Sequence, residues 1–398
     1  DVKINVGTAY LVENNGADGL VVSTKPIDML VQEEGLSEMA AGALVGLANS
    51  SDKNVQRISL LAQQALNSGN ADLLEAETVK EDGVVVQAAA TAAHNQVMSL
   101  AAGRMAGGQG MTTVGNSSSQ YGSASASYYG GGRSGGDENA TQESGFWAQG
   151  LFNKSEYTDV FHGYTRGFAV GVDTLIDNKY TLGIGLAYSN SDIHSGSRDT
   201  DIDSKTMFIY GQYKPSEWFL NGAFAYTMSE YTENSNPFGG ILESTYDVDM
   251  FGLQMLTGYE FANGFVPSAG LRYLHTAQEE YSNGINTVKA MDSDYLTGVL
   301  GVSYSFLAKN SQTFQLRPEL RAAATYDVVS DDSETTVLVP GVGSSYTIGG
   351  DSLSKWGTEF GIGLNMRYKA MEISLMYDLG LRQDFTSQTG MIKIRSSF

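Results

Sequence analysis

Cysteine is absent from the 398-residue chain and histidine occurs only four times. Disulfides, thiolate metal sites and cysteine nucleophiles are therefore excluded, and imidazole chemistry has few candidates. A thiol-free chain suits passage through an oxidising periplasm, where stray thiols pair wrongly. Proline is scarce too, with 6 residues against 47 glycines, a balance that fits many strands and few rigid linkers. Cations are outnumbered: 24 Lys and Arg stand against 45 Asp and Glu, a formal net charge of -21, with an acidic excess on both sides of Ser144. Such a chain repels phosphate backbones, which argues against nucleic acid as a partner. No continuous apolar run reaches the roughly 18 residues of a spanning helix. A membrane β-barrel escapes that test, because its strands are apolar only at alternate positions. The chain opens on Asp1 without a Met or a basic-then-apolar leader, which reads as the start of a processed or truncated chain.

What is present changes character along the chain. Residues 1–26 hold short β-branched runs, Val2–Val6, Ala9–Glu13 and Leu20–Thr24, broken by Gly7, Asn14-Asn15-Gly16 and Gly19 and closed by Pro26. Over 27–82 the period becomes helical: Leu36, Ala40, Ala43, Leu44 and Leu47 share one face, and Val55, Ile58, Leu61, Ala62 and Leu66 another. Asp52 and Asn70 stand where N-caps belong. The segment 83–106 carries a single formal charge between Val84 and Met105, Arg104, and is rich in alanine. Its helix would be about 33 Å long, close to the thickness of a bilayer core. Yet Gln87, Thr91, His94 and Asn95 make it too polar for lipid. A slim polar helix of that length fits inside something that itself spans a membrane; a surface helix packed on its neighbours is the other reading. Residues 107–144, of Gly, Ser and Tyr, read as a flexible linker.

From 145 to 398 about twelve alternating runs follow, of the length found in outer-membrane barrels. In one, Leu182, Ile184, Leu186 and Tyr188 alternate with Thr181, Gly183, Gly185 and Ala187. Large apolar groups take one face and glycine, small or charged residues the other. The charged positions on the second face are Asp173, Glu260, Arg272, Arg317, Glu319, Arg321, Glu359, Arg367, Asp378, Arg382, Lys393 and Arg395. Facing a shared lumen, they are expected to pair around the circumference and stabilise the interior. Lys205–Lys214 leaves its face open, since Phe208 and Tyr210 compete with Met207, Ile209 and Tyr213. Short turns near 177–179, 215–217, 263–264, 309–311 and 369–370 contrast with longer acidic connections near 195–201, 233–243, 278–294 and 327–354. That asymmetry suits a periplasmic and an extracellular side. The final strand alternates Ile392, Ile394, Ser396 and Phe398 with Lys393, Arg395 and Ser397, one face for lipid and one for a wet lumen.

Phe146-Trp147-Ala148-Gln149-Gly150 at the first barrel strand, and a last strand running from Gly390 to Phe398, resemble the C-terminal part of a type V bacterial autotransporter. Ser396 departs from the aromatic residue often found two places before the end. The resemblance covers nearly the whole chain. It implies an all-β membrane protein: an antiparallel up-and-down transmembrane barrel of about twelve strands, with an α-helix in its pore. In that reading 1–26 ends a passenger β-helix, 27–82 is a helical junction, 83–106 is the pore helix, 107–144 is the linker and 145–398 is the translocator. It implies anchoring in the bacterial outer membrane with the passenger at the cell surface. Gly390, Ile392, Ile394 and Phe398 would be the signal read by the barrel-assembly machinery. Further implied partners are outer-membrane lipids and lipopolysaccharide, periplasmic chaperones and the chain's own passenger, with the barrel as a monomer. No cofactor or metal is expected.

Some autotransporters cut their pore helix by asparagine cyclisation, and Asn95 lies in that helix. The Asn-Asn pair that would mark the reaction occurs only at Asn14-Asn15, far upstream. The enzyme alternative is a barrel-rim hydrolase using His162, His194 or His275 with Ser191, Ser195, Asp192 or Asp201. No ordered Ser/His/acid set is evident, and solvated loop residues explain the proximity. A porin-like channel is the third class; the linker and preceding helix count against it.

Overall fold

The computed structural model describes residues 9–14, 20–49, 53–72, 142–177, 179–196, 198–235, 242–282, 286–311, 313–331, 334–338, 345–349, 353–368 and 370–398. The expected pore helix at 83–106, with Gln87, Thr91, His94 and Asn95, lies outside the described residues. Most of the linker does too, as do Val2–Val6 and Asp52.

β1 (Tyr10–Asn14) and β2 (Leu20–Thr24) precede α1 (Ile27–Glu34), α2 (Glu38–Asn49) and α3 (Lys53–Asn67). β1 and β2 pair antiparallel, Tyr10 opposite Thr24. The two strands therefore form a hairpin, as the tight turns expected at 1–26 imply. Only five residues separate them, and a parallel crossover takes a dozen or more, so antiparallel pairing follows. The predicted helical faces do form one core, with Leu36, Ala40, Ala43, Leu44, Leu47, Val55, Ile58, Ala62 and Leu66 buried together. The Ser37 hydroxyl accepts the Ala40 amide at 3.1 Å, an N-terminal cap for α2 that the sequence reading passed over.

The barrel begins with β3 (Gln142–Tyr157), β4 (Phe161–Ile176), β5 (Tyr180–Ser195), β6 (Arg198–Tyr213), β7 (Trp218–Ser235), β8 (Leu242–Tyr259) and β9 (Phe265–Gln278). Short strands β10 (Tyr281–Ser282) and β11 (Thr287–Val288) intervene before β12 (Met291–Ser305), and β13 (Lys309–Asn310) before β14 (Phe314–Ser330). After β15 (Glu334–Leu338) and β16 (Ser345–Gly349) come β17 (Trp356–Tyr368), β18 (Met371–Arg382) and β19 (Phe385–Ser397). Twelve long strands pair antiparallel with their neighbours, and two contacts close the ring: β12 with β14, and β19 with β3. A closed ring leaves no backbone edge to lipid, which is what permits strands to span a membrane.

Side-chain alternation gives each strand a lipid-compatible outer face. On β5, Tyr180, Leu182, Ile184, Leu186 and Tyr188 are exposed. Beyond Tyr188 the outward positions turn polar, at Asn190, Asp192 and His194. Tyr180 and Tyr188 lie eight residues apart, about 26 Å along a strand, on the order of a barrel's apolar band. Aromatic rings gather at the short-turn boundary, where Tyr180 stacks on Tyr213 at 4.9 Å and Tyr213 meets Trp218 edge-on at 5.4 Å. Such girdles mark a membrane–water interface.

The expected long connection at 195–201 is instead a tight turn. Ser195 pairs with Arg198 across Gly196, whose φ of +59° is open to glycine at no steric cost. β7 and β8 likewise run to Ser235 and from Leu242, so part of the anticipated acidic loops is strand standing above the apolar band. At this end the inner face is apolar: Phe161, Ile193, Ile202, Tyr231, Tyr246 and Leu274 cluster with Tyr281, Val288, Val337 and Met39 of α2. Leu242 joins the helical core, so α2 and the start of β8 tie the helices to the long-connection end of the barrel.

Candidate functional site: the inner wall and the closing seam

The seam joins the last strand to the first. Ile392 faces Gly150, Ile394 faces Ala148 and Ser396 faces Phe146. The Phe398 amide donates to the Ser144 carbonyl at 2.9 Å, so pairing continues to the terminal residue. Ile392, Ile394 and Phe398 point outward and are exposed, Phe398 at 78%, whereas Lys393 and Arg395 turn inward and are buried. Gly390 stands opposite Phe152 with open space where a Cβ would be.

Inside, Arg395 crosses two strands. Its guanidinium donates to Asp173 on β4 at 2.9 Å, passing over Gly145 of β3, where an added Cβ would come within 2.6 Å of it. Tyr210 on β6 also donates to Asp173, at 3.2 Å, and receives the Trp147 indole N–H at 2.9 Å. One buried network thus joins β3, β4, β6 and β19 across the seam. The aromatic members lie over glycines as well: Trp147 over Gly171, Tyr210 over Gly183 and Phe208 over Gly185. That resolves the open face of β6, with Phe208 and Tyr210 inside and Met207 and Ile209 outside.

The same device recurs across the barrel. Arg321 on β14 reaches Asp378 on β18 over Gly361 of β17, its neighbour in both registers. Arg382 on β18 reaches back to Asp327 on β14 past Gly357. Arg272 and Glu359 form a two-pronged pair, at 2.8 and 3.1 Å, across the lumen side of β9 and β17. Glu319 lies 3.8 Å from Arg321, and Arg367 lies 3.9 Å from Glu372. Glu260 pairs with Lys214 near the short-turn end, and Arg317 sits half-buried on the face of Glu319 and Arg321. Sequence reasoning missed Lys214, Tyr210, Asp327 and Glu372. The signal available for Tyr210 was the pair of glycines at Gly183 and Gly185 on the next strand.

The residues weighed for hydrolysis come together only in part, His162 with His194 and Asp192 with Asp201, and not as a serine, histidine and acid in one set. Ser191 is buried inward, bonded to Thr165 at 2.8 Å, while His194, at odd spacing, faces outward and is bonded to Asp199 at 2.5 Å. The Ser195 hydroxyl donates to the Val160 carbonyl at 3.0 Å. His162 lies 5.0 Å from His194, ring to ring, and His275 is bonded to Asp294 at 2.9 Å. Among the described residues no cluster of His, Asp and Glu has the makings of a metal site.

Comparison with known proteins accords with this arrangement. The sequence model described as Autotransporter beta-domain matches residues 146–378. Outer membrane protein B of Rickettsia typhi is 26% identical over 295 residues, 67% of this chain and 18% of that protein. Outer membrane protein A of Rickettsia conorii is 24% identical over 294 residues, 67% of this chain and 14% of that protein. The chain thus spans less than a fifth of either relative's length. In fold it is similar to the translocator domain of autotransporter NalP from Neisseria meningitidis, with a TM-score of 0.54 at 14% identity, covering 70% of this chain and 94% of that one. A twelve-stranded barrel closed by its own last strand, matched by the family's sequence model over more than half its length, belongs to the autotransporter β-domain family.

Proposed function

We propose that this outer-membrane translocator presents an upstream passenger at the cell surface and carries its own segment 83–106 in its lumen. Anchoring rests on the family and on an outward face suited to lipid. The occupied lumen rests on one observation: polar side chains are shielded inside a barrel too wide to fill itself. Eight strands leave an interior that side chains just fill, and larger barrels leave room. Here Gln254 and Lys393 point inward, each 1% exposed. Neither the side-chain nitrogen nor the oxygen of Gln254 has a hydrogen-bond partner among the described residues. A helix bearing Gln87, Thr91, His94 and Asn95 supplies the amide and hydroxyl groups such a wall accepts.

In this reading 1–26 ends the passenger, 27–82 is its junction, 107–144 is the linker and 145–398 is the barrel. The inner ion pairs hold the wall, and no reaction is assigned to the chain, Asn95 included. The barrel-assembly machinery would read Gly390, Ile392, Ile394 and Phe398 after periplasmic chaperones deliver a single chain. Because the protein lacks cysteine, one introduced by Gln254→Cys is a clean probe. A maleimide is expected to label it slowly in the full chain and fast once 84–105 is deleted; equal rates would refute the occupied lumen.

A further inference from the structure

A groove of about 780 Å³ opens on the outer wall beside the seam, lined among others by Gly150, Phe152, Arg166, Phe168, Gly390 and Ile392. Its floor is set by two glycines. Gly390 has open space at its Cβ position, and the nearest atom to a Cβ on Gly150 is Ile392 Cγ2 at 3.6 Å. Its flanks are apolar, with Phe152, Phe168 and Ile392 exposed. One end carries Arg166, level with Phe152 on one side and Asn190 on the other.

Arg166 differs from the inward arginines. Arg272, Arg321, Arg382 and Arg395 each reach a carboxylate, whereas Arg166 takes part in none of the ion pairs among the described residues and contacts the Asn190 oxygen at 3.3 Å. Asp203, a carboxylate that also lines this end of the groove, is engaged by other donors: it accepts from the Tyr188 hydroxyl at 2.5 Å and from the Asn190 amide at 3.2 Å. The guanidinium therefore has donors to spare at the row where the outer face turns from apolar to polar. An unpaired cation above an apolar trough complements a ligand with a phosphate head and a hydrocarbon tail.

We propose that this groove is a binding site for a phosphate-bearing lipid of the outer leaflet. One acyl chain lies over Gly150 and Gly390, and the phosphate meets Arg166. The site rests on the outer-membrane placement of the barrel and goes beyond it, since a general lipid coat needs neither the glycines nor the arginine. The full refolded chain in non-ionic detergent is titrated, by native mass spectrometry, with hexa-acylated bis-phosphorylated lipid A. Parallel titrations use the same lipid without phosphates, and inorganic phosphate as competitor. One retained lipid is expected, weakened about tenfold by Arg166→Gln, as for loss of a charge-assisted hydrogen bond. Arg166→Lys should restore much of it, and Gly390→Leu should block it by filling the trough. Equal binding of the dephosphorylated lipid, or no effect of Arg166→Gln, would overturn the proposal in favour of an unspecific coat. Displacement by inorganic phosphate alone would reduce the site to an anion site, and a protein dimer in place of the lipid adduct would assign the groove to a second copy. Heat-modifiable gel migration reports whether each variant is a folded barrel; should Gly390→Leu not fold, the exposed Arg166→Gln decides.

Discussion

At the scale of residues, the inner wall works by pairing a long side chain with a glycine on the strand between it and its partner. Arg395 over Gly145 and Arg321 over Gly361 each bridge two strands that do not touch. Removing one member of such a buried pair leaves a charge without compensation, at about 3–5 kcal/mol. Asp173→Ala is therefore expected to lower the barrel's stability by about that amount, read from urea unfolding in lipid vesicles, because Arg395 and Tyr210 both lose their acceptor. A midpoint unchanged from the parent would refute the seam network. Gly361→Val tests the other half, since its Cβ would meet Arg321 and Asp378 within 2.6 Å. It should destabilise more than Gly380→Val, where the nearest atom lies at 3.8 Å. The charged residues were legible in the sequence by parity alone, but their partners were not. Parity fixes a face, whereas a two-strand reach depends on register, and register comes only with the paired sheet.

At the scale of elements, alternation identified the barrel strands, and helical period identified α2 and α3, because each buries one face. Connections were read less well. Ser195–Asp201 looked like loop because it is polar, yet Ser195 already pairs with Arg198 and the strand continues from there, since an outer face that has left the bilayer needs nothing apolar. The β1–β2 hairpin was legible as two short strands, although β-branched runs report strand and not the direction of pairing. In the helical module the Lys25 ammonium bonds Glu33 at 2.8 Å and Glu34 at 2.9 Å, and these bonds hold its proton above the ordinary lysine range. The sign follows: this contribution is complete below the unfolded lysine value, about 10.4, and fades as pH rises through the folded one. Lys25→Met is thus expected to lower the melting temperature of the module near pH 8, and by progressively less as pH rises past the folded lysine value, followed by circular dichroism at 222 nm. A loss that stays the same at every pH would show that packing of the lysine stem, not its charge, is responsible.

At the scale of the whole molecule, an outer-membrane translocator was legible because membrane, lumen and closure each leave a pattern in sequence. Outward apolar residues alternate with inward charge and glycine, and the last strand ends on Phe398 beside Ser144. The lipid groove was not legible, since it arises where Gly150 and Gly390 come together from opposite ends of the barrel sequence. The apolar cluster at the long-connection end was hidden in the same way, as its members come from strands, loop strands and α2. Deleting Phe398 together with Ser397 should slow insertion into the outer membrane while leaving synthesis unchanged, measured by the heat-modifiable fraction over time; an unaltered rate would remove the terminal strand from recognition. The central claim is that the barrel places what precedes it outside the cell. An epitope fused ahead of Asp1 and probed with antibody on intact Gram-negative cells tests this directly. The account predicts labelling of intact cells in proportion to folded barrel, and labelling only after the outer membrane is permeabilised, with the barrel folded, would contradict it.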